Sequence, residues 1–254
     1  MKTKLYILPI LLLFLTSCFK EGRGYIEEDG KIYYEKWDGG NWRLKKLFVP
    51  ADTETFEIIE SPFGDRVSKD KNHVFIGNRV IKGADPKSYR FPNIKNGGHA
   101  IDKNRIYRNG YIPIPGSTSE GFEVLDDRKS YIRDKHRVYW LGNPLEINSI
   151  DNFQLLDNGW STDGHNYFWT FYKNPSIDYN QIKLFKLGVA KDKNKVYYKD
   201  KQLLQLLREK GIEIDTIDAE SFEEFDLKYE FIFKDNLGCI DLNRGRKDCP
   251  DKSE

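Results

Sequence analysis

Oxygen-bearing side chains recur in this sequence at a spacing that could bind a cation. Asp and Asn lie two residues apart in three places, namely Asp70 and Asn72, Asp102 and Asn104, and Asp192 and Asn194. Carboxylate and amide oxygens are calcium ligands. However, a lysine separates the members of each pair, and a further copy has His136 two residues after Asp134. A hydrogen-bonded turn explains the same residues without a metal, so we expect no metal and no cofactor.

Motifs typical of enzymes are absent from the sequence. It contains no Gly-x-Ser-x-Gly, no His-Glu-x-x-His, and no phosphate-binding or dinucleotide-binding glycine loop. Three of its four histidines, His73, His136 and His165, fall inside the recurring turn, where other copies carry Asn or Lys. The tryptophans could stack on sugars or peptides, although aromatic residues at a fixed register more often fill a core; they are Trp37, Trp42, Trp140, Trp160 and Trp169. We therefore expect a protein that is not an enzyme.

The overall charge argues against nucleic acid as a partner. Lys and Arg total 41 and Asp and Glu total 40, which gives a formal charge of +1. Proteins that bind nucleic acid normally carry a basic excess, because they neutralise phosphates. The mean hydropathy of −0.68 also excludes a protein with many membrane spans.

The N-terminus has the features of an export signal. Lys2 and Lys4 precede an apolar stretch from Leu5 to Leu15. This stretch is too short to cross about 30 Å of hydrocarbon as a helix, so a secretory signal is the better interpretation.

The residues that follow resemble the bacterial lipobox, in which Leu and two small residues precede Cys. Here the motif is Leu15, Thr16, Ser17 and Cys18. The resemblance implies a lipoprotein signal peptide over 1–17, fatty acylation of Cys18 and a short tether over 18–24, so that the membrane is a partner through the lipid anchor. Phe19 stands where an inner-membrane retention signal would have Asp, which favours the outer membrane of the envelope where the cell has one.

An internal repeat is the main structural signal. Its acidic slot is occupied at Glu28, Asp70, Asp102, Asp134, Asp163 and Asp192, and a degenerate seventh copy ends at Asp235. Five positions after each acid lies an aromatic residue: Tyr33, Phe75, Tyr107, Tyr139, Phe168 and Tyr197. A β-branched residue usually precedes the aromatic, which indicates a strand. The second position after the acid is Gly, Asn or His, which predicts a turn residue with positive φ whose turn is capped by the acid.

A second submotif closes some of the repeat units. It reads Ala51-Asp52-Thr53-Glu54-Thr55-Phe56, then Ala84-Asp85-Pro86-Lys87-Ser88-Tyr89, and later Asp218-Ala219-Glu220-Ser221-Phe222. Together with the Asp-Lys-Asn-x-Val-Tyr-Tyr core at Asp192, it resembles the DKNYY family of bacterial repeat proteins over roughly residues 25–235. The resemblance implies no established activity and no catalytic residues.

The fold expected from these patterns is all-β. We predict one repeat domain over 25–254, built from about six to seven tandem repeats of short antiparallel hairpins or meanders, either as an open array or closed like a propeller. One short helix near the C-terminal end is predicted from Leu203, Leu204, Leu206 and Leu207. Asp200 would be its N-cap, and its apolar face would cover the end of the array.

The cysteine count predicts one disulfide. With Cys18 acylated, Cys239 and Cys249 are the remaining thiols, and an even pair in an oxidising compartment is expected to be oxidised.

Three classes of function remain open. The first is an envelope-anchored lipoprotein with a non-catalytic binding or scaffolding domain, whose partner would be a glycan, peptidoglycan or a protein. The second is a purely structural component of the envelope. The third is an enzyme whose site is formed by residues distant in sequence.

Overall fold

The computed structural model describes residues 24–40, 43–64, 66–92, 98–126, 128, 130–176, 182–227 and 230–249. The predicted signal peptide, Cys18 and most of the tether lie outside these residues. The chain forms two compact units that divide between Phe122 and Glu123, and each unit is described by itself. Among the described residues, no helix has the length and apolar character needed to cross a membrane.

The first unit contains three small antiparallel sheets in its described part. Sheet 1 consists of β1 (Gly24–Glu28), β2 (Lys31–Asp38) and β3 (Arg43–Val49). Sheet 2 consists of β4 (Glu57–Ile58), β5 (Val67–Lys69), β6 (Val74–Ile76) and β7 (Arg79–Val80). Sheet 3 consists of β8 (Ala100–Ile101), β9 (Ile106–Arg108) and β10 (Ile112–Pro113).

The second unit contains four such sheets in its described part, and each has four strands in sequence order. Sheet 4 consists of β11 (Glu123–Val124), β12 (Tyr131–Arg133), β13 (Val138–Trp140) and β14 (Asn143–Pro144). Sheet 5 consists of β15 (Gln154–Leu155), β16 (Trp160–Thr162), β17 (Tyr167–Trp169) and β18 (Tyr172–Lys173). Sheet 6 consists of β19 (Lys183–Leu184), β20 (Val189–Lys191), β21 (Val196–Tyr198) and β22 (Lys201–Gln202). Sheet 7 consists of β23 (Glu223–Leu227), β24 (Glu230–Asp235), β25 (Gly238–Asp241) and β26 (Gly245–Lys247).

The sheets confirm the all-β prediction of repeated antiparallel hairpins. In each copy the aromatic slot pairs with the residue two positions before the acid, as in Ser68↔Phe75 and Ala190↔Tyr197. Sheet 1 has the same register, with Ile26 opposite Tyr33. The shared register places equivalent side chains of every copy on the same face of their sheet, because side chains alternate along a strand.

Within each unit, neighbouring sheets bury opposite faces against each other. The β-branched slot packs toward the next sheet, so Ile32 of sheet 1 shares a core with Phe75 of sheet 2. Val74, the residue before Phe75, faces the other way and shares a core with Tyr107 of sheet 3. Because both faces of such a sheet are buried, its short strands carry apolar residues at successive positions.

The seventh copy is displaced from its predicted position. Asp235 does not end this copy but occupies its acidic slot, because its carboxylate accepts from the peptide N–H of Leu237 in the following turn. Cys239 and Ile240 then fill the β-branched and aromatic slots, and both are fully buried.

The predicted helix is present, but two details of the prediction are wrong. Helix α1 (Leu203–Glu209) begins after Gln202, not at Asp200. Its buried residues Leu203 and Leu207 share one core with Val196 of sheet 6 and Ile240 of sheet 7. The helix therefore fills the space between two sheets, because a further four-stranded sheet follows it and needs an apolar neighbour.

Candidate functional site

The acidic residue of five repeats, from Asp70 to Asp192, organises its own turn, whereas Glu28 of the first repeat forms an ion pair with Lys46. One carboxylate oxygen, Oδ1, accepts hydrogen bonds from the peptide N–H groups two and three residues later. For Asp70 the donors are Asn72 at 2.7 Å and His73 at 2.6 Å, and for Asp192 they are Asn194 and Lys195, both at 2.8 Å. Asp102, Asp134 and Asp163 make the same pair of bonds. The predicted capping role of the acid is therefore present in the turns.

The predicted positive φ of these turns is confirmed in the first copy, where Gly30 has φ +67°, and is wrong in the copies with Asn or His. Residues with positive φ do not include the Asn72, Asn104, His136, His165 or Asn194 positions. The carboxylate already satisfies the turn's peptide groups, so the chain needs no left-handed residue there. Positive φ occurs instead in the next turn of each repeat, for example at Asn109, Leu141, Thr170 and Lys199.

The second carboxylate oxygen, Oδ2, ties the turn to the segment before it in the chain. It accepts the peptide N–H of Asp52 in the case of Asp70, at 2.8 Å, and that of Asp85 in the case of Asp102, at 2.9 Å. Asn148 donates to Asp163 and Asp218 donates to Asp235 in the same way. The bonds span 15 to 18 residues, so each acid holds two segments of its repeat together.

The tyrosine hydroxyls of the aromatic slot are hydrogen-bond partners of the repeat acids that were not predicted from the sequence. Each hydroxyl donates to Oδ2 of the acid five residues before it. The distances are 2.7 Å for Tyr107 and Asp102, 2.8 Å for Tyr139 and Asp134, and 2.6 Å for Tyr197 and Asp192. Burial and the adjacent carboxylate raise the pKa of Tyr107 and Tyr139 far above the ordinary value. The signal was present in the sequence, since this slot is Tyr in most copies and otherwise Phe or Ile.

The hydroxyl of the second submotif was also missed. Thr55 Oγ1 accepts the peptide N–H of Lys71 at 3.1 Å, and Ser88 Oγ accepts that of Lys103 at 2.9 Å. The same hydroxyls donate to the submotif acids, from Thr55 to Asp52 at 2.8 Å and from Ser88 to Asp85. This relay explains why the submotif has an acid followed three residues later by Ser or Thr.

Hydrogen bonding dominates the electrostatics of three repeat acids. Burial raises the pKa of Asp163 and Asp192, but bonds from peptide groups and side chains outweigh it and hold each pKa below its ordinary value. For Asp235 burial is likewise outweighed, chiefly by the Arg246 guanidinium, which contacts Oδ1 at 2.5 Å and Oδ2 at 2.9 Å. The acids are therefore ionised and engaged at neutral pH.

The repeat aspartates stabilise the fold. Each of them accepts hydrogen bonds within the protein, and the donors are peptide groups, hydroxyls, the Asn166 amide at Asp163 and the Arg246 guanidinium at Asp235. Across the described residues, no group of three or more His, Cys, Asp and Glu side chains has the arrangement of a metal site.

The predicted disulfide is present in sheet 7. Cys239 and Cys249 are bonded, with their Cα atoms 4.9 Å apart. Cys239 is fully buried in β25, where it lies opposite Lys234 of β24 and Lys247 of β26. The bond therefore fastens the C-terminal segment to the last sheet.

The tryptophans divide between core and surface. Trp160 is buried, and its Nε1 donates to the carbonyl of Phe185 at 2.7 Å. Trp140 and Trp169 are half-buried, whereas Trp37 exposes 45% of its surface. Trp42 lies outside the described residues. Trp37 is therefore the tryptophan best placed to contact a ligand among those that the structure describes.

A groove of about 470 Å³ lies beside Trp37, between sheet 1 and sheet 2 of the first unit. Its lining combines aromatic and apolar surface with three cations and one acid: Tyr34, Trp37, Phe63, Ile76, Lys36, Arg66, Arg79 and Glu35. Arg66, Arg79 and Lys36 are exposed. An indole beside guanidinium groups can stack on a sugar or a planar group while the cations bind an anion.

The strand pairing beside the groove adds a further cation. Lys36 lies directly opposite Lys45 across β2 and β3. Like charges at directly opposed positions destabilise a sheet. The repulsion between these two lysines would be reduced by an anion bound beside them. The groove could not be predicted from the sequence, because its residues come from four strands of sheets 1 and 2 and from the segments between strands, and they follow no repeat.

The comparisons with known proteins identify a family. The model of the DKNYY family matches residues 25–170 and 81–201. The search of curated proteins found no match. The search of solved structures also found none.

Proposed function

The chain belongs to the DKNYY family, and from that premise we propose that it is a lipid-anchored protein of the bacterial envelope whose repeat domain binds a ligand without catalysis. The lipobox at Cys18 supports the anchor. The use of the repeat acids as hydrogen-bond centres supports the absence of catalysis, because the most regular polar residues of the chain stabilise turns.

The groove beside Trp37 is the proposed binding site, and the ligand is a glycan that carries anionic groups, such as peptidoglycan. One observation carries this proposal: Trp37, which exposes 45% of its surface, and three cations, Lys36, Arg66 and Arg79, line one groove. An apolar surface with a few placed polar groups is the usual form of a small-ligand site. Sugar rings would stack on Trp37, and carboxylates would bind the guanidinium groups.

Co-sedimentation with purified peptidoglycan tests the site. We expect the protein to sediment with peptidoglycan, and we expect Trp37→Ala and Arg79→Ala each to weaken binding at least about tenfold, since a stacked or charge-assisted contact is worth about 1.5 kcal/mol or more. Arg90→Ala is the matched control, because Arg90 is an exposed arginine of the same unit outside the groove. Equal binding by all four proteins would refute the groove.

Anionic lipid vesicles form the second arm of this experiment. Retention on vesicles by the protein with Cys18→Ala, lost on Arg79→Ala, would assign the groove to a lipid headgroup instead of a glycan. Acylation itself is tested by metabolic labelling with a fatty-acid probe, which should label the wild type and not Cys18→Ala.

A purely structural role in the envelope is the second candidate. It is favoured by the hydrogen bonds that the repeat aspartates accept from neighbouring segments of the protein. Crosslinking of the tagged, lipidated protein in intact envelopes distinguishes the two, since a binding domain should yield a crosslinked ligand that the groove variants lose.

A further inference from the structure

The outward side of sheet 1 carries an apolar surface that we call the end face, formed by Ile26, Tyr33, Leu44 and Phe48. The strand register assembles it, because Tyr33 lies opposite both Ile26 and Phe48, and Leu44 lies four residues before Phe48 on the same side of β3. Phe48 exposes 54% of its surface and Leu44 exposes 40%. Tyr33 and Phe48 contact edge to face at 6.0 Å.

The end face is the side that every other repeat buries. Tyr33 occupies the aromatic slot, and the aromatic residues of the same slot in the later copies are at most 5% exposed; they are Phe75, Tyr107, Tyr139, Phe168 and Tyr197. Phe75 is covered by sheet 1 itself, but no strand precedes β1 within the described residues. Sheet 1 is thus the first sheet of the described residues, and its outer face is not the polar surface that a terminal repeat needs for solubility. Large exposed apolar patches mark interaction surfaces.

The chain length before sheet 1 fixes what can reach the end face. This step rests on the acylation of Cys18 proposed above. Six residue steps separate Cys18 from Gly24, and a fully extended chain of that length spans at most about 20 Å. Gly24 lies opposite Glu35, and Glu35 lies opposite Lys46, two residues from Leu44, so the anchored end of β1 is beside the Leu44 end of the face.

The chemistry of the end face suits the boundary of a lipid bilayer. Its charges balance, with Lys31 and Lys46 against Glu28 and Glu35. Lys46 forms an ion pair with Glu28, and its Nζ lies 4.5 Å from the centre of the Tyr33 ring. Trp and Tyr concentrate at membrane interfaces, where an apolar ring and a polar group are both satisfied, and lysines beside them extend toward water.

We propose that the end face of sheet 1 lies against the lipid bilayer, so that the first repeat docks on the membrane beside its own anchor. The bilayer takes the place of the preceding sheet. A second copy of the chain packed face to face is the competing occupant.

A fluorescence experiment on the full lipidated chain tests this docking. The protein is reconstituted in vesicles of phosphatidylethanolamine and phosphatidylglycerol, with an environment-sensitive dye attached at Phe48→Cys or, in a second variant, at Leu44→Cys. Trp37 is left unchanged because it lines the groove. The matched control is Leu155→Cys, an exposed apolar strand position of the other unit. We expect a blue shift, a severalfold gain in intensity and quenching by brominated lipids at 44 and 48, and none of these at 155.

The outcomes separate this inference from the proposed function. Acylated protein whose dye responds equally at 48 and 155 overturns the docking and leaves the anchor standing. Absence of acyl chains on Cys18 by mass spectrometry overturns the anchor and the docking together. The third outcome uses Cys18→Ala protein without vesicles. If the dye at position 48 is shielded there and the protein has the mass of a dimer in solution, the docking is overturned in favour of a second copy of the chain.

Discussion

Replacing Asp192 by Ala should destabilise the second unit by about 3 kcal/mol. Asp192 accepts from four groups, of which the hydroxyls of Tyr197 and Ser176 are buried. A bond to a charged group contributes about 1.5–3 kcal/mol. The two turn donors, Asn194 and Lys195, are exposed, so their peptide groups can bond to water once the carboxylate is removed. The loss of each of these two bonds therefore costs only about 0.5 kcal/mol. Removing the desolvation of the carboxylate offsets part of the loss, which brings the expected cost to about 3 kcal/mol.

Urea unfolding followed by circular dichroism and tryptophan fluorescence measures this cost, because Trp160 and Trp169 report on sheet 5 of the same unit. The matched control is Asp200→Ala, an exposed acid in the next turn of sheet 6, which should stay within about 0.5 kcal/mol of the wild type. Asp192→Asn keeps an oxygen for the turn and should fall between the two.

Two results would refute the reasoning. A cost for Asp192→Ala below about 1 kcal/mol, close to that of Asp200→Ala, would mean that the four bonds do not organise the repeat. A melting temperature that rises on adding calcium and falls with chelator would mean that the acids hold a metal, since a ligand stabilises the state it binds. We expect no change with either reagent, because the oxygens already accept bonds from the protein.

The same geometry gives three more predictions. Phe75→Tyr should stabilise the first unit by about 1 kcal/mol, since its register places the new hydroxyl at Asp70, whereas a loss of stability in urea would refute the equivalence of the slots. Thr170→Gly should stabilise the second unit by about 1 kcal/mol, because Thr170 has φ +59° and glycine adopts this conformation without steric cost. Asn194→Gly should destabilise the same unit by about 0.5 kcal/mol, because φ is not positive there, and thermal melts with the opposite order would contradict this. The pKa of Asp163, Asp192 and Asp235 is lower in the folded protein than in the unfolded chain, where it is about 4. The stability that these acids contribute should therefore be complete above about pH 4 and be lost as the pH falls through their lower folded-state pKa values. A loss of stability that begins above about pH 5 in urea titrations would mean that other groups are responsible.

The sequence alone determined the elements that depend on neighbouring residues. The turn at Asp192 is local, because a carboxylate can reach peptide groups only two and three residues away, and the alternation around Tyr197 is local for the same reason. Both were therefore readable from one repeat and reinforced by the others. The pairing of Cys239 with Cys249 followed from counting thiols.

Only the tertiary structure decided which contacts join segments that the sequence does not pair. The bond from Asp52 to Asp70 and the core shared by Ile32 and Phe75 form when one sheet packs on the next. Positive φ was assigned correctly at Gly30 but to the wrong turn in the copies with Asn or His, because Asn tolerates that conformation but does not require it. The groove and the end face could not be predicted for a related reason. Trp37, Arg66 and Phe48 follow no motif, and only the packing of β2, β3 and sheet 2 shows on which surface each of them lies.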